Sequence, residues 1–170
     1  MVKIGLISDS HGYIGKDAWK YLEECDEVWH AGDVGDLVTL QALENLSASR
    51  VVYGNIDGSE IRLSCPRDLL FEVEGVKVFM THIGGYPGRY NKRVYEILRN
   101  QNPDLYICGH SHILKVMRDK NLDLIHMNPG AIGFKGFHKF RTLITFNLDR
   151  GSISDVKAID LGPRGRLSPD

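Results

Sequence analysis

The chain has 170 residues, 42% of them hydrophobic, and a formal net charge of −1, which is long enough to bury a core and short for two domains. Near-neutral charge without blocks of like sign argues against a partner held by bulk attraction, and no basic stripe interleaved with aromatics speaks for nucleic acid. Cys25, Cys65 and Cys108 are widely spaced and form no CxxC pair, which argues against a disulfide framework or a zinc knuckle. Together with the absence of a leader-like start or an apolar run of about 18 residues, this predicts a soluble, cytoplasmic protein with no membrane association.

In chain order, "VKIGLI" reads as a buried strand. Tyr13 to Glu24 reads as a helix, with Ala18, Trp19 and Leu22 at helical spacing. "DEVWHAGD" is a second short strand, Leu37, Leu40 and Leu43 mark another helix, and "RVVYGN" is a third strand. Strands alternating with helices predict a parallel β-α-β-α-β unit. After residue 65, "LLFEVEGVKVFMTH" gives two strands around Glu74-Gly75. A helix follows from about Arg89 to Arg99, ended by Asn102-Pro103, and then the strand "DLYIC". Residues 113 to 160 read as all-β, with hairpins around Lys120-Asn121 and Asp149–Gly151. The Gly- and Pro-rich tail from about 161 to 170 reads as loose, and residues 1–170 read as a single α/β domain.

Every strand of the core set runs into a polar donor: Asp9 and His11, Asp33, Asn55, His82, and His110 with His112. Ligands of open α/β sheets bind outside the carboxyl ends of the strands, so these side chains should meet on one rim. Residues two apart on an extended backbone share a side. Asp9 with His11, and His110 with His112, are therefore expected to act as two-pronged clamps. If Asp33 gives one oxygen to each of two ions, the seven residues supply eight contacts, four per ion. Carboxylate, amide and imidazole without thiolate suit Mn, Fe, Zn, Ni or Co. Two divalent cations against Asp9 and Asp33 would leave a local charge of about +2, attractive to a phosphate.

Asp9-x-His11, Gly32-Asp33-x-x-Asp36, Gly54-Asn55, His82 and Gly109-His110-x-His112 occur in order. This series resembles the calcineurin-like metallophosphoesterases, in particular their small single-domain bacterial and archaeal phosphodiesterases. The resemblance spans residues 2 to about 160. It implies a four-layer α/β sandwich of two mixed β-sheets flanked by helices, with a dinuclear site. Asp9, His11 and His112 would hold one ion and Asn55, His82 and His110 the other, with Asp33 bridging. The implied enzyme is a phosphoric ester hydrolase, a phosphodiesterase before a monoesterase. In it a metal-bridging hydroxide attacks in line between ions about 3.5–4 Å apart. Asp33, Asn55 and His82 are its catalytic residues, acting through metal-bound water. Manganese is the favoured ion, and a small phosphoester the substrate. Asn128-Pro129-Gly130 resembles the family's turn after the second hairpin strand. Many relatives carry a proton-donating histidine directly after the asparagine, where this chain has Ile56; the resemblance therefore implies a preference for leaving groups that depart readily as anions. His138, Lys135 or Lys139 in "GFKGFHKFR" could substitute.

Simpler structural roles compete at several positions. His30 and His126 lie inside apolar runs and read as structural. Asp36 opens a helix, so an N-cap is as good an account as a bond to a ligand histidine, and Asp57 in "NIDGS" reads as a turn residue before an orienting one. Arg89 or Arg93 in "GGYPGRYNKR" could meet a phosphate, though a linker explains the segment equally. Trp19 and Trp29 read as core or interface packing. A binding scaffold is the alternative function, since a eukaryotic trafficking-complex subunit resembles this fold. Strand edges and the Tyr-rich loop would permit a homodimer.

Overall fold

The computed structural model describes residues 1–165. Among the described residues ten strands form two sheets, and four helices accompany them. The first contains β1 (Val2–Ile7), β2 (Glu27–His30), β3 (Ala48–Val51), β9 (Phe140–Asp149) and β10 (Ser152–Pro163) in the order β10-β9-β1-β2-β3. The second contains β4 (Asp68–Val73), β5 (Val76–Thr81), β6 (Leu105–Ile107), β7 (Leu114–Asp119) and β8 (Leu124–Pro129) in the order β4-β5-β6-β8-β7. Both are mixed: β1, β2 and β3 run parallel, as do β5, β6 and β8, with β9 and β10 added antiparallel on one side of the first sheet and β4 and β7 antiparallel at the two edges of the second.

Alternation along the strands explains the layering. Ile4 and Leu6 of β1, Trp29 of β2, Val78 and Met80 of β5, Leu105 and Ile107 of β6, and Ile144 and Phe146 of β9 fill one core between the sheets. The opposite faces are buried as well. Ile7, Val28 and Leu143 pack on α1 (Lys16–Leu22) and α2 (Leu37–Leu46), while Phe79 and Tyr106 pack on Val94 and Leu98 of α4 (Lys92–Gln101). Strands buried on both faces read as nearly continuous apolar runs, which is why they stand out in the sequence. The result is the four-layer sandwich anticipated above.

Boundaries shift in places. The first helix begins at Lys16 rather than Tyr13, with Gly15 extended as its N-cap. Tyr13 stacks edge-on against Phe134 at 4.6 Å, outside the helix. The third strand ends at Val51, before "YGN". A short helix, α3 (Ser59–Ser64), has no counterpart in the sequence expectations; its six residues carry one buried apolar position, Ile61, and so no readable period. β10 continues to Pro163, three residues into the segment expected to be loose. Residues 166–170 of that segment lie outside the described residues. Among the described residues, the three cysteines are free and buried, and no helix is long and apolar enough to cross a membrane.

His30 and His126 are structural, as expected. Gly32 N–H donates to His30 Nδ1 (3.1 Å), so the Nε2–H of His30 donates to Ser10 Oγ (2.8 Å), which passes its proton on to Val34 O (2.9 Å). His126 stacks on Tyr106 and donates from Nδ1 to its carbonyl. Burial holds both pKa values down to about 4. Because the unfolded chain takes up these protons first, stability is full above an unfolded value of about 6.5 and is lost as pH falls toward 4, on the order of 3 kcal/mol for each residue. In urea unfolding of metal-free protein at about pH 7.5 and about pH 4.5, His126→Gln should remove part of the acid loss; an unchanged difference between the two pH values would refute the assignment.

Candidate metal centre

The seven donors meet at one rim; Asp9 and His11 do reach one group together, as expected, but from left-handed rather than extended backbone, and His110 and His112 do not form a clamp. Asp9, His11, Asp33, His110 and His112 all have left-handed φ, between 50° and 66°. The rule that residues two apart share a side therefore does not apply. The two loops cross instead. Asp9, His11 and His112 bring ligand atoms together in one group, and Asp33, His82 and His110 in another, with all atoms of each group within 4.8 Å of one another. His110 and His112 thus serve different groups.

Asp33 stands between them. Its Oδ1 lies 3.2 Å from His82 Nε2 and its Oδ2 3.8 Å from His11 Nε2. Asn55 joins the second group, with Oδ1 at 3.1 Å from His82 Nε2. His112 Nε2 lies 3.1 Å from Asp9 Oδ1. Asp9 is fully buried and Asp33 is 2% exposed. Two such carboxylates are costly unless matched by positive charge.

Protonation states follow from the partners. His82 Nδ1 must donate to Ala31 O (2.8 Å), which turns Nε2 toward Asn55 and Asp33. Burial alone would lower the His82 pKa, but Asp33 and Asp9 outweigh it and raise it. Burial alone would raise Asp33, but His82, the Ile56 N–H and His11 hold it below the ordinary carboxylate range. His11 and His110 are lowered, chiefly by burial, and present lone pairs at neutral pH. At His112 the tautomer is set by a relay: His138 Nε2–H donates to Gly133 O (2.9 Å), so His138 Nδ1 accepts from His112 Nδ1–H (3.0 Å). That leaves the His112 Nε2 lone pair facing Asp9. With both nitrogens engaged in the protein, His138 is no proton donor for a leaving group.

These residues fit divalent cations. Asp9 Oδ1 and His11 Nε2 are buried with no hydrogen-bond partner. Three oxygens, of Asn55, Asp33 and Asp9, converge on His82 Nε2 at 3.1, 3.2 and 4.0 Å, a position that calls for a positive centre.

The surrounding frame fixes the donors. Asp9 Oδ2 accepts from Ser8 Oγ (2.6 Å) and His110 N–H (3.1 Å). Ile56 N–H donates to Asp33 Oδ1 (3.1 Å). Gly54 and Gly109 leave room for this: a Cβ on Gly54 would collide with Asp33, and one on Gly109 with Ser8 Oγ. Asp36 caps α2 by accepting from Thr39 N–H (2.8 Å), so the capping alternative is the one observed. In the sequence Asn128 stands only as part of a turn. Its amide donates to Gly109 O (2.8 Å) and Ser111 Oγ (3.1 Å), bracing the loop that carries His110 and His112. No spacing signal in the sequence announces this.

The model of the calcineurin-like phosphoesterase superfamily domain matches residues 2–151. The chain belongs to that superfamily. It is 29% identical over 133 residues to a probable metallophosphoesterase of Methanothermobacter thermautotrophicus, covering 75% of this chain and 76% of that one. An archaeal phosphodiesterase of known structure is 24% identical, with a TM-score of 0.73 over 94% of this chain and 100% of that one. Vps29 of Entamoeba histolytica complexed with Zn²⁺ is 17% identical, with a TM-score of 0.69 over 93% and 98%. The two structures share the fold. The superfamily supports a metal-dependent phosphoesterase acting on a small substrate, and it implies divalent metal ions.

Asp57 is more than a turn residue. Buried at 3% exposure, it accepts from Val34 N–H (3.1 Å), Gly35 N–H (2.8 Å) and Gly54 N–H (2.7 Å), tying the Asp33 loop to the Asn55 loop. Asp57→Ala strands three amides, at about 1–3 kcal/mol for each buried group left unmade. Urea unfolding should show a loss of at least about 3 kcal/mol, with Asp57→Asn losing less. A loss below about 1 kcal/mol for the alanine variant would mean that water replaces the carboxylate.

Proposed function

We propose that this protein is a dinuclear metal-dependent phosphodiesterase. Asp9, His11 and His112 would hold one cation and Asn55, His82 and His110 the other, with Asp33 giving an oxygen to each. The observation that carries this is the pair of three-residue groups with Asp33 facing both, together with the orphaned Asp9 Oδ1 and His11 Nε2. Divalent ions bound there, manganese first among them, would polarise phosphoryl oxygens and acidify the water that attacks phosphorus.

The chain's own residues supply position and charge. The Ala31 carbonyl and the His138 relay aim His82 Nε2 and His112 Nε2 inward as lone-pair donors. Asp33, held by Ile56 N–H, keeps the two groups at a fixed separation. The two buried carboxylates neutralise only part of two divalent charges, which favours an anionic ester. Ile56, 46% exposed, stands where a proton donor would help a poor leaving group.

The scaffold alternative rests on the likeness to Vps29, which is one of fold. A Vps29 complexed with Zn²⁺ means that metal binding alone does not separate the two functions; turnover does. Protein loaded with Mn, Ni, Co or Zn should hydrolyse bis(p-nitrophenyl) phosphate, and Asp33→Asn should lose at least about 100-fold. No turnover with any of the four would favour the scaffold. A second series of aryl diesters should show rates that fall steeply as leaving-group pKa rises. Ile56→His should flatten that dependence, with gains of up to about 10²–10⁴-fold for the poorest leaving groups. If the slope stays as it was, the missing general acid is not what sets the preference.

A further inference from the structure

We propose that the cleft beside Asn55 and His82 binds a second anionic group of the substrate, a carboxylate or a phosphate, and that Arg67 is the guanidinium that reads it. This rests on the phosphodiesterase function above and narrows its substrate class.

The cleft, about 260 Å³, shares Asn55 and His82 with the candidate metal centre and is lined further by Tyr53, Arg62, Arg67, Thr81 and Arg93. Three arginines lining one cleft stand out in a chain whose net charge is −1. They are not equivalent. Arg62 is bound to the main chain, donating from Nε to Asp57 O (2.6 Å) and from Nη2 to Gly54 O (3.3 Å) and Asn55 O (3.2 Å), and it stacks over Tyr53. It holds the Asn55 loop. Arg93 is paired with Asp68 (2.6 Å) and donates to Thr81 Oγ1 (3.2 Å). Among the described residues the Arg67 guanidinium has neither a hydrogen bond nor an ion pair.

Its backbone, by contrast, is anchored. Tyr53 N–H donates to Pro66 O (3.0 Å) and Thr81 Oγ1 donates to Arg67 O (3.5 Å), fixing the segment between two strand ends. A fixed root with an unpaired planar fork is suited to a carboxylate or phosphate that arrives with the substrate. Among the described residues Asp68 is the only carboxylate paired with one of these three arginines, so the three cations leave an excess of positive charge. The volume is below the roughly 300–1,000 Å³ that encloses a drug-sized ligand. The cleft therefore takes a compact substituent on one ester arm while the phosphodiester lies at Asn55 and His82.

Matched substrates test this: p-nitrophenyl butyl phosphate against its carboxypropyl and phosphonopropyl counterparts, the last two separating carboxylate from phosphate. Wild-type protein should favour at least one charged arm by about tenfold in kcat/KM. Arg67→Gln should bring the ratio to near one, and Arg67→Lys to an intermediate value. Equal rates for neutral and charged arms in the wild type, or a ratio that Arg67→Gln leaves in place, would overturn the assignment. A titration of metal-free protein with inorganic sulfate at constant ionic strength gives a readout apart from activity. The Tyr53 and Thr81 amide resonances should shift saturably in the wild type and not in Arg67→Gln; no saturable shift in the wild type would equally overturn it. If the neutral diester is not hydrolysed with any metal, the phosphodiesterase function falls by itself, and the titration decides the anion site.

Discussion

The Asp33 carboxylate is the constraint on which the rest of the rim depends. It leaves the end of β2 in the left-handed region, φ 58°, accepts from the loop after β3 through Ile56, and faces His11 from the first sheet and His82 from the second. Four chain segments meet at two oxygen atoms. With Asp9 buried beside it and two nearby histidines held neutral by burial, the centre carries uncompensated negative charge. Such an arrangement persists in a folded protein when something positive completes it. The donor set therefore explains itself better as an ion cage than as a structural network. A structural network would close its own hydrogen bonds, as His30 does with Ser10 and Gly32.

Backbone strain is concentrated at the same place. Among the described residues, five of the ten non-glycine residues with positive φ are candidate ligands. Each left-handed residue costs about 1–2 kcal/mol, less for Asp. What holds them is a set of main-chain bonds beyond the strand ends: Asp9 N to Gly32 O, His11 N to Asp33 O, Gly12 N to Val34 O, and Gly133 N to Asp9 O. The loops after β1 and β2 and the turn after β8 lock one another in place. Backbone that is over-determined in this way can keep side chains in positions they would not choose alone.

This is also where the sequence stops being legible. The strands were readable because two-sided burial writes itself as runs such as "VKIGLI" and "VFMT", and the rim was readable because each run breaks on a polar donor. Asp36 as an N-cap follows from local chemistry. The orientation of the donors does not, because it is set by left-handed loops whose partners lie more than twenty residues away, as Gly32 does for Asp9. The roles of Asp57, Asn128 and His138 were out of reach for the same reason: each acts through contacts made by loop closure, with no period or spacing to mark them. The helix α3 is too short to show a period, and its docking of Ile61 against Val34 and Leu40 leaves no mark in the sequence.

The cleft and the isoleucine at position 56 point in one direction. Ile56 cannot give a proton, and Ile83, 42% exposed, lines the neighbouring wall. A guanidinium cannot give one either, since it stays charged at any pH a protein tolerates. What Arg62, Arg67 and Arg93 can do is lower the cost of negative charge next to Asn55. Guanidinium groups beside a candidate metal centre suit a site that attracts and orients anions rather than one that protonates them. Selectivity in such a site comes from where the second charge sits on the ester, and of the three arginines lining the cleft Arg67 is the one whose guanidinium is left unengaged.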